Sequence, residues 1–121
     1  MRVLTPAADA RAAVAAVAAR PATRTLLDVP DARLVTFRLA PGQQVPPHRN
    51  ASTVLLTVLA GSGIVTGAEG ERRCAAGELV VFAPDEVHGM RADAEELLLL
   101  AVITPRPGTR ADAGVSAAPT G

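Results

Sequence analysis

Gly42-Gln43-Gln44-Val45-Pro46-Pro47-His48-Arg49-Asn50-Ala51-Ser52-Thr53-Val54, closing on Gly61, and Gly77-Glu78-Leu79-Val80-Val81-Phe82-Ala83-Pro84-Asp85-Glu86-Val87-His88-Gly89-Met90 are the two stretches whose reading decides the fold. Each is a short apolar run punctuated by glycine and proline, and each carries one of the two histidines in the chain. Glycines such as Gly42, Gly61, Gly63 and Gly77 stand where hairpin turns demand positive φ. Pro46 and Pro47 cannot donate to a central ladder, so the segment before His48 is an edge or a loop entering a strand. Strand alternation then places His48, Asn50, Ser52 and Val54 on one face, and His88 with Met90 on another.

Working outward, the same punctuation recurs. Thr25 to Val29 and Arg33 to Leu39 are apolar or β-branched runs separated by Pro30-Asp31. In the second of these, Leu34, Thr36 and Arg38 share one face and Val35, Phe37 and Leu39 the other. Thr53 to Leu59, Ile64 to Thr66, Glu78 to Phe82, His88 to Arg91 and Glu96 to Thr104 follow, with turn residues between them. This amounts to roughly eight strands at short spacing, the pattern of an all-β sandwich or barrel rather than a βαβ fold. No crossover helix and no phosphate-cradling glycine loop leading into a helix is present.

Ahead of the strands, Ala7 to Ala19 reads as a helix, with Thr5 as N-cap and Pro6 at the first helical position. Arg20-Pro21 ends it. Val3, Val14 and Val17 give it only a thin apolar stripe, so it is expected to pack on the outside of the barrel or on a second subunit. The chain divides into a helical segment (1–23), a barrel (24–104) and a C-terminal tail (105–121) rich in Pro, Gly, Ala, Ser and Thr, expected to be mobile.

At 121 residues the chain is one domain with room for a single core. Twelve acidic and twelve basic residues balance to zero formal charge, and the only aromatic rings of the Phe, Tyr and Trp kind are Phe37 and Phe82. That combination argues against a nucleic-acid surface or a polybasic membrane contact. Leu97 to Ile103 is too short to span a bilayer, and Asp9 and Arg11 interrupt the alanine-rich start, so the chain is read as cytoplasmic. Cys74 is the single cysteine, which excludes an internal disulfide and a cysteine-based zinc knuckle.

The spacing of the two stretches resembles the two motifs of the cupins. From Gly42, five residues lead to His48, one more to Asn50, three more to Val54 and six more to Gly61. From Gly77, six residues lead to Pro84, with His88 soon after, one residue more before the proline and one fewer before the histidine than the family pattern. The resemblance covers about residues 25 to 104. It implies a cupin-type double-stranded β-helix, a jelly-roll barrel, with His48 and His88 both projecting into its cavity. It also implies the metal ligands: two histidines and a glutamate from the first motif and one histidine from the second. His48 and His88 match two of these. Asn50 stands at the second histidine position and Val54 at the glutamate position (Thr53 under the shorter spacing).

A catalytic metal usually takes three protein ligands. Two imidazoles offer nothing to offset the charge of a divalent ion such as Fe, Mn, Ni or Zn, so any such metal would be weakly held. The leading expectation is a barrel that binds a small organic molecule in a pocket formed by His48, Asn50, Val54, His88 and Met90. The alternatives are a metal-dependent enzyme of the dioxygenase or isomerase type, and a structural protein with a vestigial pocket. Arg49, Asp85-Glu86 and Glu95-Glu96 read as solvated and Cys74 as a packing residue, while an inward Arg38 meeting a ligand carboxylate is a minor alternative. The strands Thr53–Leu59 and Leu97–Ile103 are apolar on both faces, so one face is expected to line the interior and the other to need a cover. The helix supplies part of that cover and a homodimer the rest.

Overall fold

The computed structural model describes residues 1–15 and 17–108. One helix, α1 (Pro6–Ala12), precedes nine strands: β1 (Ala22–Val29), β2 (Ala32–Leu39), β3 (Gln44–His48), β4 (Thr53–Ala60), β5 (Ser62–Gly67), β6 (Gly70–Ala75), β7 (Leu79–Phe82), β8 (His88–Ala92) and β9 (Leu97–Thr104). They form two antiparallel sheets, one ordered β1-β2-β9-β4-β7 and the other β3-β8-β5-β6. This is the double-stranded β-helix that the resemblance implied, within the all-β class that the turn spacing indicated.

The two sheets face each other across a core of aliphatic side chains. Val35, Phe37 and Leu39 of β2, Val54, Leu56 and Val58 of β4, and Leu97, Leu99, Ala101 and Ile103 of β9 come from the larger sheet. Val65, Cys74, Met90 and Ala92 come from the smaller one. Of the two faces of β2, Val35, Phe37 and Leu39 turn to this core, and Thr36 is buried on the opposite face.

Where the sequence reading had one strand running from His48 to Val54, the chain makes two. β3 is the edge of the smaller sheet and ends at His48, and β4 begins at Thr53 in the larger one. Residues 49–52 carry the chain between the sheets. Asn50 makes that turn: its side-chain Oδ1 accepts from Ser52 N at 3.0 Å, and its carbonyl accepts from Asp85 N at 2.8 Å. Ser52 Oγ donates to the Pro105 carbonyl at 2.6 Å. Burial still alternates through the turn, with Asn50, Ser52 and Val54 buried and Arg49 exposed.

The helix is shorter than the Ala7–Ala19 run suggested. It stops at Ala12, and Ala13 is already extended at φ −67°, ψ 139°. Thr5 makes no side-chain cap, and its hydroxyl donates to Asp9 instead, at 3.5 Å. The physical reason for the early stop is tertiary. Arg38 Nη1 donates to the Arg11 carbonyl at 2.7 Å, taking an acceptor that a further turn would have used, while Arg38 Nε pairs with Glu96 at 2.8 Å. More alanine turns would bury nothing, because Val3, Val14 and Val17 are exposed, and propensity alone does not hold a short helix. Ala10 and Ala13 are the residues that α1 and its C-cap bury, against β2 and β9. The barrel begins at Ala22, two residues before the expected boundary. Of the expected tail, Arg106 N donates to the Pro30 carbonyl at 3.2 Å, so its first residues are fixed to the β1–β2 turn; the remainder, 109–121, lies outside the described residues.

The outer faces of the sheets differ in chemistry. On the smaller sheet, Arg91 grips Glu71 with two bonds of 2.6 and 3.1 Å, and Arg73 pairs with Asp93 at 2.6 Å. On the larger sheet, β4, β7 and β9 contain no charged residue. Register aligns Leu34, Val102, Leu55 and Val81 in one outward row, and Thr36, Leu100, Thr57 and Leu79 in the next. At the α1 end this face is covered, with Thr36 and Leu98 buried. At the β7 end Leu79 and Val81 are 57% and 59% exposed.

Candidate functional site

His48 and His88 meet inside the barrel. They are direct register partners across the β3–β8 ladder, with ring centroids 4.2 Å apart and planes inclined by 63°. Gly89 allows the approach. A Cβ there would lie 2.9 Å from Pro47 N, 3.0 Å from its Cα and 3.1 Å from the Val45 carbonyl, too close for any side chain. The missing side chain lets the Pro46-Pro47 segment of β3 sit against β8, which sets His48 on His88. Phe82 closes one flank, with its ring centroid 5.2 Å from that of His88.

The rings border a cavity of about 10 Å³. His48, His88 and Met90 reach it from the smaller sheet, and Phe37, Val54, Ala101 and Ile103 from the larger. Four of the five expected pocket residues are thus brought together. Asn50 is not among the lining residues, because its amide is turned into its own loop; its Nδ2 is buried without a partner. Phe37, Ala101 and Ile103 were missed as site residues. Their alternation marks them as inward-facing, yet nothing in a single sequence says which inward positions of β2 and β9 stand opposite β3 and β8. About 10 Å³ is room for one water-sized group, far less than the several hundred Å³ of an open ligand pocket. Phe37, Met90 and Ile103 fill the space that a smaller set would have left. A larger recess of about 830 Å³ opens outside the barrel, between residues 14–21 and 42–46, but brings together no histidine or carboxylate.

The hydrogen bonds fix the chemistry of both rings. His48 Nδ1 is 3.0 Å from the Pro46 carbonyl, and His88 Nδ1 is 3.1 Å from the Glu86 carbonyl. A carbonyl oxygen only accepts, so each Nδ1 carries the proton and donates. In the neutral ring each Nε2 is then a bare acceptor. His48 Nε2 is buried and has no partner. Burial pushes the His88 pKa down, the Glu86 carbonyl bond raises it, the neighbouring His48 lowers it further and the Glu86 carboxylate raises it. The Glu86 carboxylate is itself held below the usual range by the backbone N–H groups of Ala83 and Ala68.

The remaining residues singled out in the sequence lie elsewhere. Arg49 is exposed and donates to the Asp85 carbonyl at 3.0 Å. Arg38 points to α1 and Glu96. Cys74 is buried in the core, which pushes its thiol pKa up.

A two-sheet jelly roll with a histidine from each of two motifs defines the class. The chain belongs to the cupin family: the family model of the cupin domain matches residues 35–104. No curated protein matches the chain. Among solved structures it is similar to a conserved protein with a double-stranded β-helix domain from Klebsiella pneumoniae, at TM-score 0.75 and 21% identity over 88% of this chain and 91% of that one. It is also similar to an RmlC-like cupin protein from Desulfovibrio desulfuricans, at TM-score 0.68 and 24% identity over 78% and 91% of the two chains. A predicted oxalate decarboxylase from Thermotoga maritima matches at TM-score 0.67 and 23% identity over 70% and 80%. At these identities the likeness is one of fold. No helix among the described residues is long and apolar enough to cross a membrane.

The residues present do not fit the divalent metal that the family implies. Among the described residues no three His, Cys, Asp or Glu side chains come together. Val54 presents two methyl groups where a carboxylate would stand, and the Asn50 amide is engaged in its turn. A doubly charged ion would sit on two neutral imidazoles in an aliphatic chamber, with no anion to offset its desolvation.

Proposed function

We propose that this cupin is a small-molecule-binding protein whose recognition centre is the His48/His88 pair, acting without a resident divalent metal. The observation that carries the reading is the buried, unpartnered Nε2 of His48 beside a second imidazole whose Nδ1 is also tied to a carbonyl. An orphaned buried acceptor costs about 1–3 kcal/mol, and a donor from a ligand recovers that. The ligand must therefore present a hydrogen-bond donor, such as a hydroxyl or an amine, to two acceptors at once. With about 10 Å³ of free space, only one polar group enters while the walls stay in place. Admitting more of a ligand requires Met90 to change rotamer or the edge strand β3 to yield, and methionine is the side chain best suited to re-packing.

The test is a thermal-shift screen with polyols, hydroxy acids and primary amines. A ligand at a hundredfold excess over Kd adds about 2.7 kcal/mol, and His48→Phe should abolish the shift. A ligand whose shift persists in His48→Phe would overturn the reading.

The protein is further proposed to pair with a second copy through the outer rows Leu34-Val102-Leu55-Val81 and Leu100-Leu79. A charged partner would leave unpaired charges against this uncharged face, whereas the same face on another copy matches it. A cytoplasmic location suits the single reduced cysteine and belongs to the same proposal.

A further inference from the structure

We infer that the recess outside the barrel binds an amphipathic monocarboxylate, with its carboxylate on Arg20 and its aliphatic chain against Val14, Val17 and Pro46. This is a second site, separate from the two imidazoles, since neither ring lines it.

Size distinguishes the two spaces. The interior holds about 10 Å³ and the recess about 830 Å³, within the about 300–1,000 Å³ usual for ligand pockets. The recess opens where the edge strands of the two sheets, β1 and β3, come side by side, with Val14, Val17 and Pro21 on its third side.

Its walls call for an apolar guest. Val14 and Val17 are 86% and 54% exposed, and both border the hollow. Two wet valines on one concave surface gain by being covered. An added peptide strand is not the guest, because Pro46 and Pro47 remove the N–H donors through which it would pair with β3.

One end of the guest is set by charge. Arg20 is the single charged residue in the lining, and no ion pair among the described residues engages it. Glu96 borders the adjoining recess of about 350 Å³ together with Arg20, but Arg38 already holds it at 2.8 Å. A guanidinium takes a carboxylate through two parallel bonds and cancels its one charge, whereas a phosphate dianion would keep half of its own. Gln43 adds a donor. Its Oε1 accepts from Ala40 N at 2.9 Å, which leaves the amide nitrogen for the same carboxylate.

The experiment titrates the full chain with octanoate, below its micelle concentration, and follows the valine and isoleucine methyl signals. The expected result is a saturable, one-to-one shift of Val14 and Val17. Each methylene added between octanoate and decanoate should tighten binding roughly two- to fourfold. Octylammonium, of equal chain length, should bind at least about tenfold more weakly, as should octanoate to Val17→Asp. Arg20→Glu should reverse the preference between the two probes. Both substitutions fall on exposed residues away from the core. Should Val17→Asp nonetheless fail to fold, the charge reversal at Arg20 decides. Equal binding of octanoate and octylammonium, or a preference unchanged in Arg20→Glu, overturns the inference. So do shifts at Val54 and Ile103 in place of Val14 and Val17, which would put the guest inside the barrel. If octanoate fails to bind and Val17→Asp turns a dimer into a monomer in light scattering, a second copy covers the recess and the inference is also overturned.

Discussion

Replacing Val54 with glutamate should convert a dry, neutral chamber into a divalent-metal site, at a cost in the metal-free protein that follows from its surroundings. Val54 is 3% exposed and lines the cavity with His48, His88, Phe37 and Ile103. No Lys or Arg lines the cavity, so burial will keep the carboxyl protonated at pH 7, and its only polar neighbours are the two imidazoles, to which it can donate. Holding a group of ordinary pKa about 4.3 in its neutral form at pH 7 costs about 1.36 kcal/mol per pH unit over about 2.7 units, or about 3.7 kcal/mol. Overpacking adds to this, since glutamate is larger than valine. For a chain of this size the loss corresponds to a fall in Tm of roughly 15 °C.

Two imidazoles and a carboxylate are a recognised three-ligand zinc set, so Zn(II) at a thousandfold excess over Kd should return about 4.1 kcal/mol. The unmodified protein should show no such rescue. Chemical denaturation of Val54→Glu with and without Zn(II) is the assay. A cost below about 1 kcal/mol, or a Zn(II) rescue that survives an added His88→Phe, would refute the placement of position 54 beside the two imidazoles.

Two further outcomes follow from the same structure. Because burial depresses the His88 pKa below 6.5, the unfolded chain binds a proton that the folded ring refuses. Stability is then full above about pH 6.5 and falls as pH drops below it; the carboxylates Glu71 and Glu86 titrate below 4.5 and leave that window clear. Urea midpoints between pH 5 and 7 should flatten in His88→Asn, and an unchanged slope would contradict this. On the outer face, Val81→Glu should convert a dimer to a monomer in light scattering, with the barrel's circular dichroism intact. A monomeric unmodified protein, or a dimer indifferent to this change, would contradict the pairing.

The barrel was legible because its punctuation is local. Turn glycines such as Gly61 and Gly77, with φ of +79° and +91°, announce strand ends, and the prolines before His48 announce an edge strand, without reference to the rest of the chain. The convergence of His48 and His88 was legible only through the resemblance to a family, since forty residues separate them and no local signal pairs β3 with β8. What stayed hidden depends on contacts between distant segments. The cavity is small because Phe37 and Ile103, from strands remote from either histidine, fill it. Asn50 turns away because the chain changes sheet between His48 and Thr53, which alternation alone cannot register. The helix ends at Ala12 because Arg38, on β2, takes the Arg11 carbonyl. Composition spoke for a much longer helix, and packing overruled it.

The central claim is that two imidazoles face each other inside the barrel, each with its proton on Nδ1 and a bare Nε2. Long-range ¹H–¹⁵N correlation spectra of the ligand-free protein at pH 7.5 read this directly. The account predicts two neutral rings with protonated Nδ1 and ring-to-ring contacts between His48 and His88. Rings protonated on Nε2, or lacking contact with one another, would contradict it.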